Sequence, residues 1–283
     1  MSDPFFILGP AVVSFSGGRT SAYMLHRILQ AHKGNLPENV IVLFQNTGRE
    51  MPATLDFLRD CGANWNVAIK WLEYRWKPGG PFVVEVSHNN ASRMGEPFDQ
   101  LLQARNVLPT PQRRFCTSEL KVLTAKRFVQ KNMGWKIWTN VVGLRFDEPG
   151  RVERATNPEK KSFDALWSNV TPLFDAKIEE HHILHFWKNQ SFNLNLKGRW
   201  EGNCNGCFLK NRGAISRMMK DYPDRMAWWS EKETQAQLRK GKKFGFVKDR
   251  ESYAQMMSVT QNQGVMPFDL EDSVPCTDAV CGV

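Results

Sequence analysis

Short runs of β-branched and aromatic residues alternate with helical patterns through the first half of this 283-residue chain. Residues 11–15 form the first run, which ends at a glycine pair and leads into apolar positions with helical spacing at residues 23–29. The same order returns at residues 40–44, where a turn precedes a helical pattern over residues 52–60. Strands that alternate with helices pair in parallel through right-handed crossovers. The pattern therefore predicts an α/β fold with a doubly wound, mostly parallel sheet.

Beyond these units the pattern predicts three regions. A strand run at residues 67–69, a Pro/Gly-rich break, a helical pattern at residues 117–132 and a strand run at residues 137–142 come next. After Gly150 the strand signal fades, and helical patterns follow near residues 176–187, 211–219, 224–238 and 250–260. We predict an α/β domain over residues 1–150, a mainly helical cap over residues 151–272 and a mobile, cysteine-containing tail over residues 273–283.

The charge balance bears on the partners. Lys and Arg number 38 against 29 for Asp and Glu, a net charge of +9. This excess favours a polyanionic ligand, either a phosphorylated nucleotide or a nucleic acid, although a solvated basic surface is the alternative. No apolar run approaches the ~20 residues of a membrane-spanning helix, and the first residues lack the basic stretch of a signal peptide. We expect a cytoplasmic protein without a membrane partner.

A glycine-rich loop follows the first strand run and opens the first helix. Two glycines allow a sharp turn that brings backbone N–H groups to an anion, and hydroxyl groups and the helix N-terminus add to the attraction. The loop has neither the G-x-G-x-x-G nor the G-x-x-x-x-G-K-[ST] pattern, which disfavours Rossmann and Walker sites. A plain turn between strand and helix is the alternative to a phosphate site. The candidate binding residues are Ser16, Gly17, Gly18, Arg19, Thr20 and Ser21.

This loop resembles the Ser-Gly-Gly-x-x-Ser PP-loop of the adenine nucleotide α-hydrolase superfamily. That superfamily includes ATP pyrophosphatases and the phosphoadenosine phosphosulfate (PAPS) reductase family. Residues 46–50, with Thr54 and Leu55, resemble the NTG-x-E-x-x-x-TL segment after the second strand. Residues 143–148, with Arg151, resemble the later G-x-R-x-D-E segment. The three matches stand in the family's order and span residues 11–151.

The resemblance implies roles for these residues. The PP-loop would hold the phosphates of an adenine nucleotide, while Asn46, Thr47 and Gly48 would lie beside its base and ribose. Arg145, as a catalytic residue, and Arg151 would face the nucleotide anion or its sulfate. Members that split ATP carry Asp where this chain has Thr20, whereas many reductases of the family lack the paired glycines. PAPS, adenosine phosphosulfate (APS) and ATP are all candidate substrates, and Mg²⁺ would accompany ATP.

Clustered cysteines point to metal binding or catalysis, since a reducing compartment disfavours structural disulfides. Cys204 and Cys207 lie one turn apart in a C-x-x-C motif. Cys116 stands at a predicted helix N-terminus, where the helix dipole favours a thiolate. Taken alone, the C-x-x-C motif fits a zinc knuckle, a redox disulfide or an iron–sulfur site. Cys61 lies in an apolar helical stretch, and we predict a buried structural thiol.

The family resemblance extends to these cysteines. Its iron–sulfur members hold a [4Fe–4S] cluster through cysteines at a helix start and a later C-x-x-C, which implies Cys116, Cys204 and Cys207 as ligands here. APS reductases have a Cys-Cys pair where this chain has the single Cys116. Cys276, Cys281, another residue type or an open position would complete the set, and structural zinc or unliganded thiols are the alternatives.

The C-terminal tail carries a further resemblance. Reductases of the family have a nucleophilic cysteine in a C-terminal Glu-Cys-Gly-x-His segment. Cys281 and Gly282 match its centre, while Val280 and Val283 depart from it. The match implies that Cys281 is a catalytic thiolate that attacks the sulfur of a sulfonucleotide, with Cys276 as a resolving thiol or cluster ligand. A passive tail thiol is the alternative.

Three functions follow from these observations. The first is a PAPS-reductase-family enzyme that reduces PAPS or APS to sulfite with a thiol reductant such as thioredoxin. The second is an ATP-dependent sulfurtransferase or ATP pyrophosphatase that modifies tRNA or DNA. The third is a non-enzymatic nucleotide-sensing module. The sequence does not determine the oligomeric state.

Overall fold

The computed structural model describes residues 3–157, 166–241 and 244–263 of the chain. Six strands within these ranges form one sheet in the order β4-β3-β2-β1-β5-β6. The strands are β1 Ala11–Ser14, β2 Val40–Asn46, β3 Ile69–Lys77, β4 Gly80–Val86, β5 Trp138–Val141 and β6 Trp167–Val170. Every neighbouring pair is parallel except β3 and β4. The predicted α/β fold with a mostly parallel sheet is confirmed.

Helices connect these strands and form most of the remainder. They are α1 Arg19–Ala31, α2 Pro52–Asn64, α3 Glu96–Arg105, α6 Pro149–Thr156, α7 Pro172–Asp175, α8 Glu180–Lys188, α9 Arg212–Asp221, α10 Pro223–Lys240 and α11 Tyr253–Gln263, with α4 and α5 inside a longer helix over residues 115–133. That longer helix alternates between α4 Phe115–Thr117, a π-helical turn Ser118–Leu123, α5 Thr124–Phe128 and a second π-helical turn Val129–Met133. None of the helices in the described ranges is long and apolar enough to cross a membrane.

The sheet is covered on both faces because successive side chains of a strand point to opposite sides. Val13 packs with Met24 and Leu25 of α1 in one core. Val12 packs with Phe128 and Val129 of the 115–133 helix in another. The sheet is therefore doubly wound, as predicted.

Two strands differ from the sequence-based expectation. The Pro/Gly-rich break is the turn of the β3–β4 hairpin, in which Gly79 and Gly80 have φ of +105° and +119°. Pro81 is tolerated because β4 pairs on one side only and is an edge strand. β6 lies after residue 150, so the sheet takes its other edge strand from the region assigned to the helical cap. Its four residues give too short a pattern to detect, and the ring of Trp167 stacks on Trp138 of β5 at 5.3 Å.

A second large core contains residues of both the predicted α/β domain and the predicted cap. Trp228 and Trp229 of α10 and Tyr253 of α11 pack together there, and Met51 and Phe98 belong to the same core. Because the last two come from the first half of the chain, the cap is built onto the loops of the sheet.

The strand order reverses at β1, which lies between β2 and β5. In open parallel sheets, ligands bind in the crevice outside the carboxyl ends of the strands at such a reversal. The glycine-rich loop follows β1, and residues 143–148 follow β5. The topology therefore brings two of the three predicted motifs to one crevice.

The glycine pair yields a first prediction, because only one of the two glycines is confined. Gly17 has φ of +80°, and a Cβ added there would lie 2.7 Å from Cγ2 of Thr54 on α2. A Cβ on Gly18 would meet nothing closer than the Ser16 hydroxyl at 3.7 Å. We expect Gly17→Ala to lower the free energy of unfolding by about 1–3 kcal/mol, from strained φ and the clash. Gly18→Ala should cost less than about 1 kcal/mol, the usual preference for glycine over alanine at a helix N-cap.

Urea denaturation of both variants and the wild type measures this difference. Equal losses for Gly17→Ala and Gly18→Ala would show that contact with α2 does not constrain the loop.

Candidate functional site

A pocket of about 150 Å³ lies in the crevice between the loops after β1 and β5. Its lining residues are Ser14, Ser16, Gly18, Thr20, Ser21, Gly143, Leu144, Arg145, Glu148 and Arg151. The two loops approach closely at Gly143, where an added Cβ would lie 3.3 Å from Cα of Ser21. A side chain at this position would push the loops apart, which explains the glycine. This glycine-loop pocket brings most of the predicted phosphate-binding residues together with both predicted arginines.

Hydrogen bonds inside the loop separate the roles of its hydroxyl groups. The Ser21 hydroxyl accepts from the Ser16 N–H at 3.2 Å and donates to the Gly18 carbonyl at 3.0 Å. Ser21 is buried, whereas Ser16 is exposed and Thr20 is partly exposed. Gly18 caps α1 without a side-chain hydrogen bond, although the first-turn N–H groups of a helix have no intrahelical partner. Backbone N–H groups and the hydroxyl groups of Ser16 and Thr20 are thus available to a ligand. The Ser21 hydroxyl instead holds the loop in its conformation.

The two arginines of the pocket are paired with carboxylates. Arg145 donates to both Asp147 oxygens, from Nε at 2.8 Å and from Nη2 at 3.1 Å, and Arg151 donates to Glu148. Burial acts to raise the pKa of Asp147, but the hydrogen bond and charge of Arg145 outweigh it and lower that pKa. Two cations therefore face two anions, and a phosphate must compete with these carboxylates for the guanidinium groups.

The structure places the side chain of Arg19 away from the pocket. Its Nε donates to Oδ1 of Asn193 at 2.8 Å, and its Nη2 donates to the Leu194 carbonyl at 2.7 Å. Trp187 Nε1 donates to the Arg19 carbonyl at 3.0 Å. Arg19 thus joins the start of α1 to the cap. Of the predicted contacts between Arg19 and the nucleotide, only those of its backbone remain.

The predicted base and ribose residues do not line the glycine-loop pocket either. Asn46 is fully buried and donates to Glu73 at 2.6 Å and to the Ser92 carbonyl at 2.8 Å. The Thr47 hydroxyl donates to Glu50 at 2.8 Å. Gly48 has φ of +77°, and an added Cβ would lie 3.0 Å from the backbone of Gly95. These residues fold the loop after β2, a structural role that the motif alone could not reveal.

The second pocket contains all three cysteines predicted as ligands that the structure describes. Cys116, Cys204 and Cys207 line it together with Arg114, Lys121 and Thr47. Its volume is about 30 Å³. The Thr47 hydroxyl lies 3.5 Å from the Cys204 sulfur, so the loop after β2 contacts this pocket and not the glycine loop. We call this site the cysteine pocket.

The electrostatics of Cys116 differ from the sequence-based expectation. Burial raises the pKa of Cys116 to about 12, and the neighbouring Cys204 adds to this rise. Arg114 and Lys121 act in the opposite direction without overcoming burial. Burial therefore opposes the low-pKa thiolate that the sequence predicts at this position.

Within the described ranges, no group of three or more His, Cys, Asp or Glu side chains is arranged to hold a metal ion. The three thiols share a pocket without converging on one point. Cys276 and Cys281 lie outside the described residues. Cys61 is fully buried in α2, and burial raises its pKa, in line with the predicted structural thiol.

The C-x-x-C loop is held by residues that the sequence analysis did not select. The Asn205 N–H donates to the Arg49 carbonyl at 2.8 Å. The Asn205 Oδ1 accepts from Trp229 Nε1 at 3.0 Å, from the Gly206 N–H at 2.8 Å and from Arg49 Nη2 at 3.1 Å. The Tyr253 hydroxyl donates to the Gly206 carbonyl at 2.7 Å. These partners come from distant parts of the chain, so spacing along the sequence carries no signal for them.

A third, small cavity shares lining residues with both pockets. It lies at the carboxyl ends of β1 and β2 and has a volume of about 10 Å³. Ser14 and Ser16 line both this cavity and the glycine-loop pocket. Lys121 lines both this cavity and the cysteine pocket. The small cavity therefore lies between the glycine-loop pocket and Lys121, which also lines the cysteine pocket.

Fold and site together define an α/β protein with a glycine-loop pocket at the reversal of its sheet and a cysteine pocket beside it. The chain is 30% identical to the uncharacterized nin region protein ORF290 of Escherichia phage lambda over 236 residues, 81% of this chain and 76% of the phage protein. It belongs to the family of that phage protein.

Two further comparisons complete this result. The chain is similar to the crystal structure of PAPS reductase from Candida auris in a phosphate complex, with 18% identity and a TM-score of 0.40. This similarity covers 66% of the present chain and 75% of the reductase. No protein-family model matches the sequence.

The support of the C-x-x-C loop yields a second prediction. Tyr253→Phe removes the buried donor to the Gly206 carbonyl and should lower the free energy of unfolding by about 1–3 kcal/mol. Tyr74→Phe is the control, since the Tyr74 hydroxyl makes no hydrogen bond within the described part of the chain. Urea denaturation of the two variants measures the contrast. Equal effects would show that the bond to Gly206 does not stabilise the loop.

Proposed function

We propose that the protein is an enzyme of the PAPS reductase family that binds PAPS or APS at the glycine loop and reduces it to sulfite. One observation supports this proposal: a small cavity shares Ser14 and Ser16 with the glycine-loop pocket and Lys121 with the cysteine pocket. A candidate phosphate site and a group of thiols that both adjoin one small cavity suit a reaction in which sulfur chemistry takes place on a nucleotide.

The glycine-loop pocket suits the phosphate end of an adenine nucleotide. Backbone donors at a helix N-terminus attract anions without a dedicated cation. A volume of about 150 Å³ is small beside the roughly 300–1,000 Å³ of pockets that enclose whole ligands. The pocket therefore accepts a phosphate group, and the base and ribose would lie along the open crevice.

The cysteine pocket suits a [4Fe–4S] cluster by its donor chemistry. Its lining includes three thiols and two cationic side chains, Arg114 and Lys121, but no carboxylate. Cysteines that hold a cluster bind different iron atoms, so their sulfurs need not converge on one point as ligands of a single ion do. Cys116, Cys204 and Cys207 would hold the cluster, and the pocket must widen from about 30 Å³ to accept it. When bound, the cluster would supply iron and sulfide in the cysteine pocket, which Lys121 also lines.

The reaction itself needs a nucleophilic thiolate, for which we propose Cys281. Its sulfur attacks the sulfate sulfur of the sulfonucleotide, an S–S bond forms, and the S–O bond to the nucleotide breaks to release the adenosine phosphate. A dithiol reductant such as thioredoxin then attacks the Cys281 sulfur, sulfite leaves, and the second thiol of the reductant resolves the mixed disulfide. The two electrons come from that dithiol, which ends as a disulfide. Cys276 is the fourth cluster ligand or an internal resolving thiol.

The carboxylates of the glycine-loop pocket favour a second candidate function. Asp147 and Glu148 already neutralise Arg145 and Arg151, so the pocket suits a nucleotide that brings its own cation. This arrangement supports an ATP-dependent sulfurtransferase or ATP pyrophosphatase that uses Mg²⁺ with ATP and modifies tRNA or DNA. The net charge of +9 is consistent with a nucleic-acid partner.

The two functions differ in their products. We expect the anaerobically purified protein to form sulfite from PAPS or APS when reduced thioredoxin is present, and to form no pyrophosphate from ATP. Sulfite and pyrophosphate assays on the same preparation measure both products, and Cys281→Ser should abolish sulfite formation because it removes the nucleophile. Pyrophosphate from ATP and Mg²⁺ without sulfite would favour the second function. Nucleotide binding without either product would indicate a sensing module.

Gly18 provides a direct test of the nucleotide site. Gly18 lines the glycine-loop pocket, and an added Cβ would meet nothing closer than the Ser16 hydroxyl at 3.7 Å, so Gly18→Val should weaken nucleotide binding at least about tenfold while the protein stays folded. Gly18→Ala is the graded control and should have a smaller effect. Isothermal titration calorimetry with PAPS, APS and ATP measures affinity, and circular dichroism checks the fold. Wild-type affinity in folded Gly18→Val would exclude this pocket as the phosphate site.

A further inference from the structure

The excess of positive charge is concentrated in two segments of the chain, residues 100–118 and 234–248. Together they contain eight of the 38 Lys and Arg residues and none of the 29 Asp and Glu residues. The other 30 cationic residues nearly balance these 29 acidic residues. The net charge of +9 therefore arises almost entirely from the two segments, which makes them the part of the chain that attracts a polyanion.

The structure brings the two segments together at the C-terminal ends of α3 and α10. Lys232 of α10 forms an ion pair with Asp99 of α3 at 2.9 Å. Further along both helices, Arg239 Nη1 donates to Oδ1 of Asn106 at 2.8 Å. The two helices therefore run side by side in the same direction, and the cations at the end of α10 lie beside the loop that follows α3.

Three cations of these segments have no carboxylate partner within the described residues. Arg239 donates from Nε to the Gln235 carbonyl at 3.2 Å and from Nη1 to Asn106, which are both neutral acceptors. Arg113 and Lys240 are exposed, and neither side chain forms an ion pair or a hydrogen bond within the described part of the chain. These positive charges are therefore available to a ligand.

The carboxylate that follows the first segment is shared between two cations. Glu119 accepts from Arg105 and, at 2.9 Å, from Nη2 of Arg127. One anion thus faces two cations, which leaves a positive charge at this end of α3. A ligand that brings negative charge complements this surface.

Phe244 adds an aromatic surface to these charges. It is 42% exposed, and Lys240 Nζ lies 5.7 Å from the centre of its ring. Proteins bind single-stranded nucleic acid with cations that neutralise phosphates and with aromatic rings that stack on bases. A membrane-binding surface requires a broader apolar face, whereas Leu238 and Phe244 are the two large apolar side chains exposed in the described part of these segments.

The first segment also leads to the cysteine pocket. Arg114 and Cys116 belong to this segment and line that pocket. Arg113 directly precedes Arg114, and it exchanges backbone hydrogen bonds of 3.0 and 3.2 Å with Thr110, which turn the loop at this point. A strand bound to Arg113 would therefore lie beside the residues that line the cysteine pocket.

We propose that Arg113, Arg239, Lys240 and Phe244 belong to a docking surface for single-stranded nucleic acid. The three cations bind phosphates, and the ring of Phe244 stacks on a base. This inference deepens the second candidate function and rests on it for the reaction that the bound strand would undergo. RNA and DNA share the phosphodiester chemistry that the surface recognises, so the experiment includes both.

Lys33, Lys136 and Lys188 provide a matched control. All three are exposed, and none of their side chains forms an ion pair within the described residues. Lys33 follows α1, Lys188 ends α8, and Lys136 precedes β5 beyond the other end of the 115–133 helix. Their replacement therefore removes the same charge from parts of the surface outside both basic segments.

Fluorescence anisotropy measures the affinity of the full-length protein for labelled single-stranded RNA, single-stranded DNA and duplex DNA between about 50 and 200 mM salt. We expect the triple variant Arg113→Gln/Arg239→Gln/Lys240→Gln to bind single strands at least about tenfold more weakly than the wild type. Its slope of log K against log[salt] should be smaller by about two, since three phosphate contacts are lost. The triple variant Lys33→Gln/Lys136→Gln/Lys188→Gln should stay close to the wild type in both quantities. The single strand that binds more tightly, RNA or DNA, identifies the partner.

Phe244→Leu tests the stacking separately from the charge. It removes the aromatic ring but keeps an apolar side chain at this exposed position. We expect it to weaken binding of single strands about tenfold, and to change duplex binding less because the bases of a duplex are already stacked. Circular dichroism checks the fold of every variant.

Four results would overturn the inference: no binding of either single strand by the wild type, equal losses in the two triple variants, wild-type affinity for single strands in Phe244→Leu, or binding to phosphatidylserine vesicles in place of the oligonucleotides. Failure of the second candidate function is seen separately in the pyrophosphate assay, because strand binding is measured without ATP and requires no turnover.

Discussion

The parallel pairing of β1 with both β2 and β5 determines where the rest of the site can form. From β1 the sheet is extended on one side by β2 and on the other side by β5. The loops after β1 and β5 therefore diverge to opposite faces of the sheet and leave a crevice between them. The glycine loop and Arg145 meet there, and Lys121 lines both the small cavity next to the glycine loop and the cysteine pocket. Each functional group depends on this placement.

The cap is joined to the same loops through two arginines with neutral partners. Arg19 connects the start of α1 to residues 193–194, and Arg49 connects the loop after β2 to the C-x-x-C loop. A guanidinium group donates in several directions at fixed angles, so it holds a segment in position as well as in contact. The two arginines therefore hold residues 193–194 beside the glycine loop and the C-x-x-C loop beside the loop after β2.

The two pockets differ in electrostatic design. In the glycine-loop pocket Arg145 and Arg151 face carboxylates, so anion binding relies on backbone donors and on an exchange of partners. The lining of the cysteine pocket includes the cationic side chains of Arg114 and Lys121 but no carboxylate. Carboxylates therefore accompany the cations of the first pocket and are absent from the lining of the second.

The sequence by itself determined the α/β class, the glycine loop after the first strand and the cysteines that share a pocket, because local periodicity and short motifs encode these features. It did not reveal the β3–β4 hairpin or β6, since four residues carry little pattern and pairing with β5 decides the strand. Only the tertiary structure decided that Asn46 and Thr47 build a loop, that Arg19 turns to the cap and that Arg49 lies under the C-x-x-C motif. The physical reason is that burial and hydrogen-bond partners depend on segments up to 176 residues apart, a separation that no local pattern records.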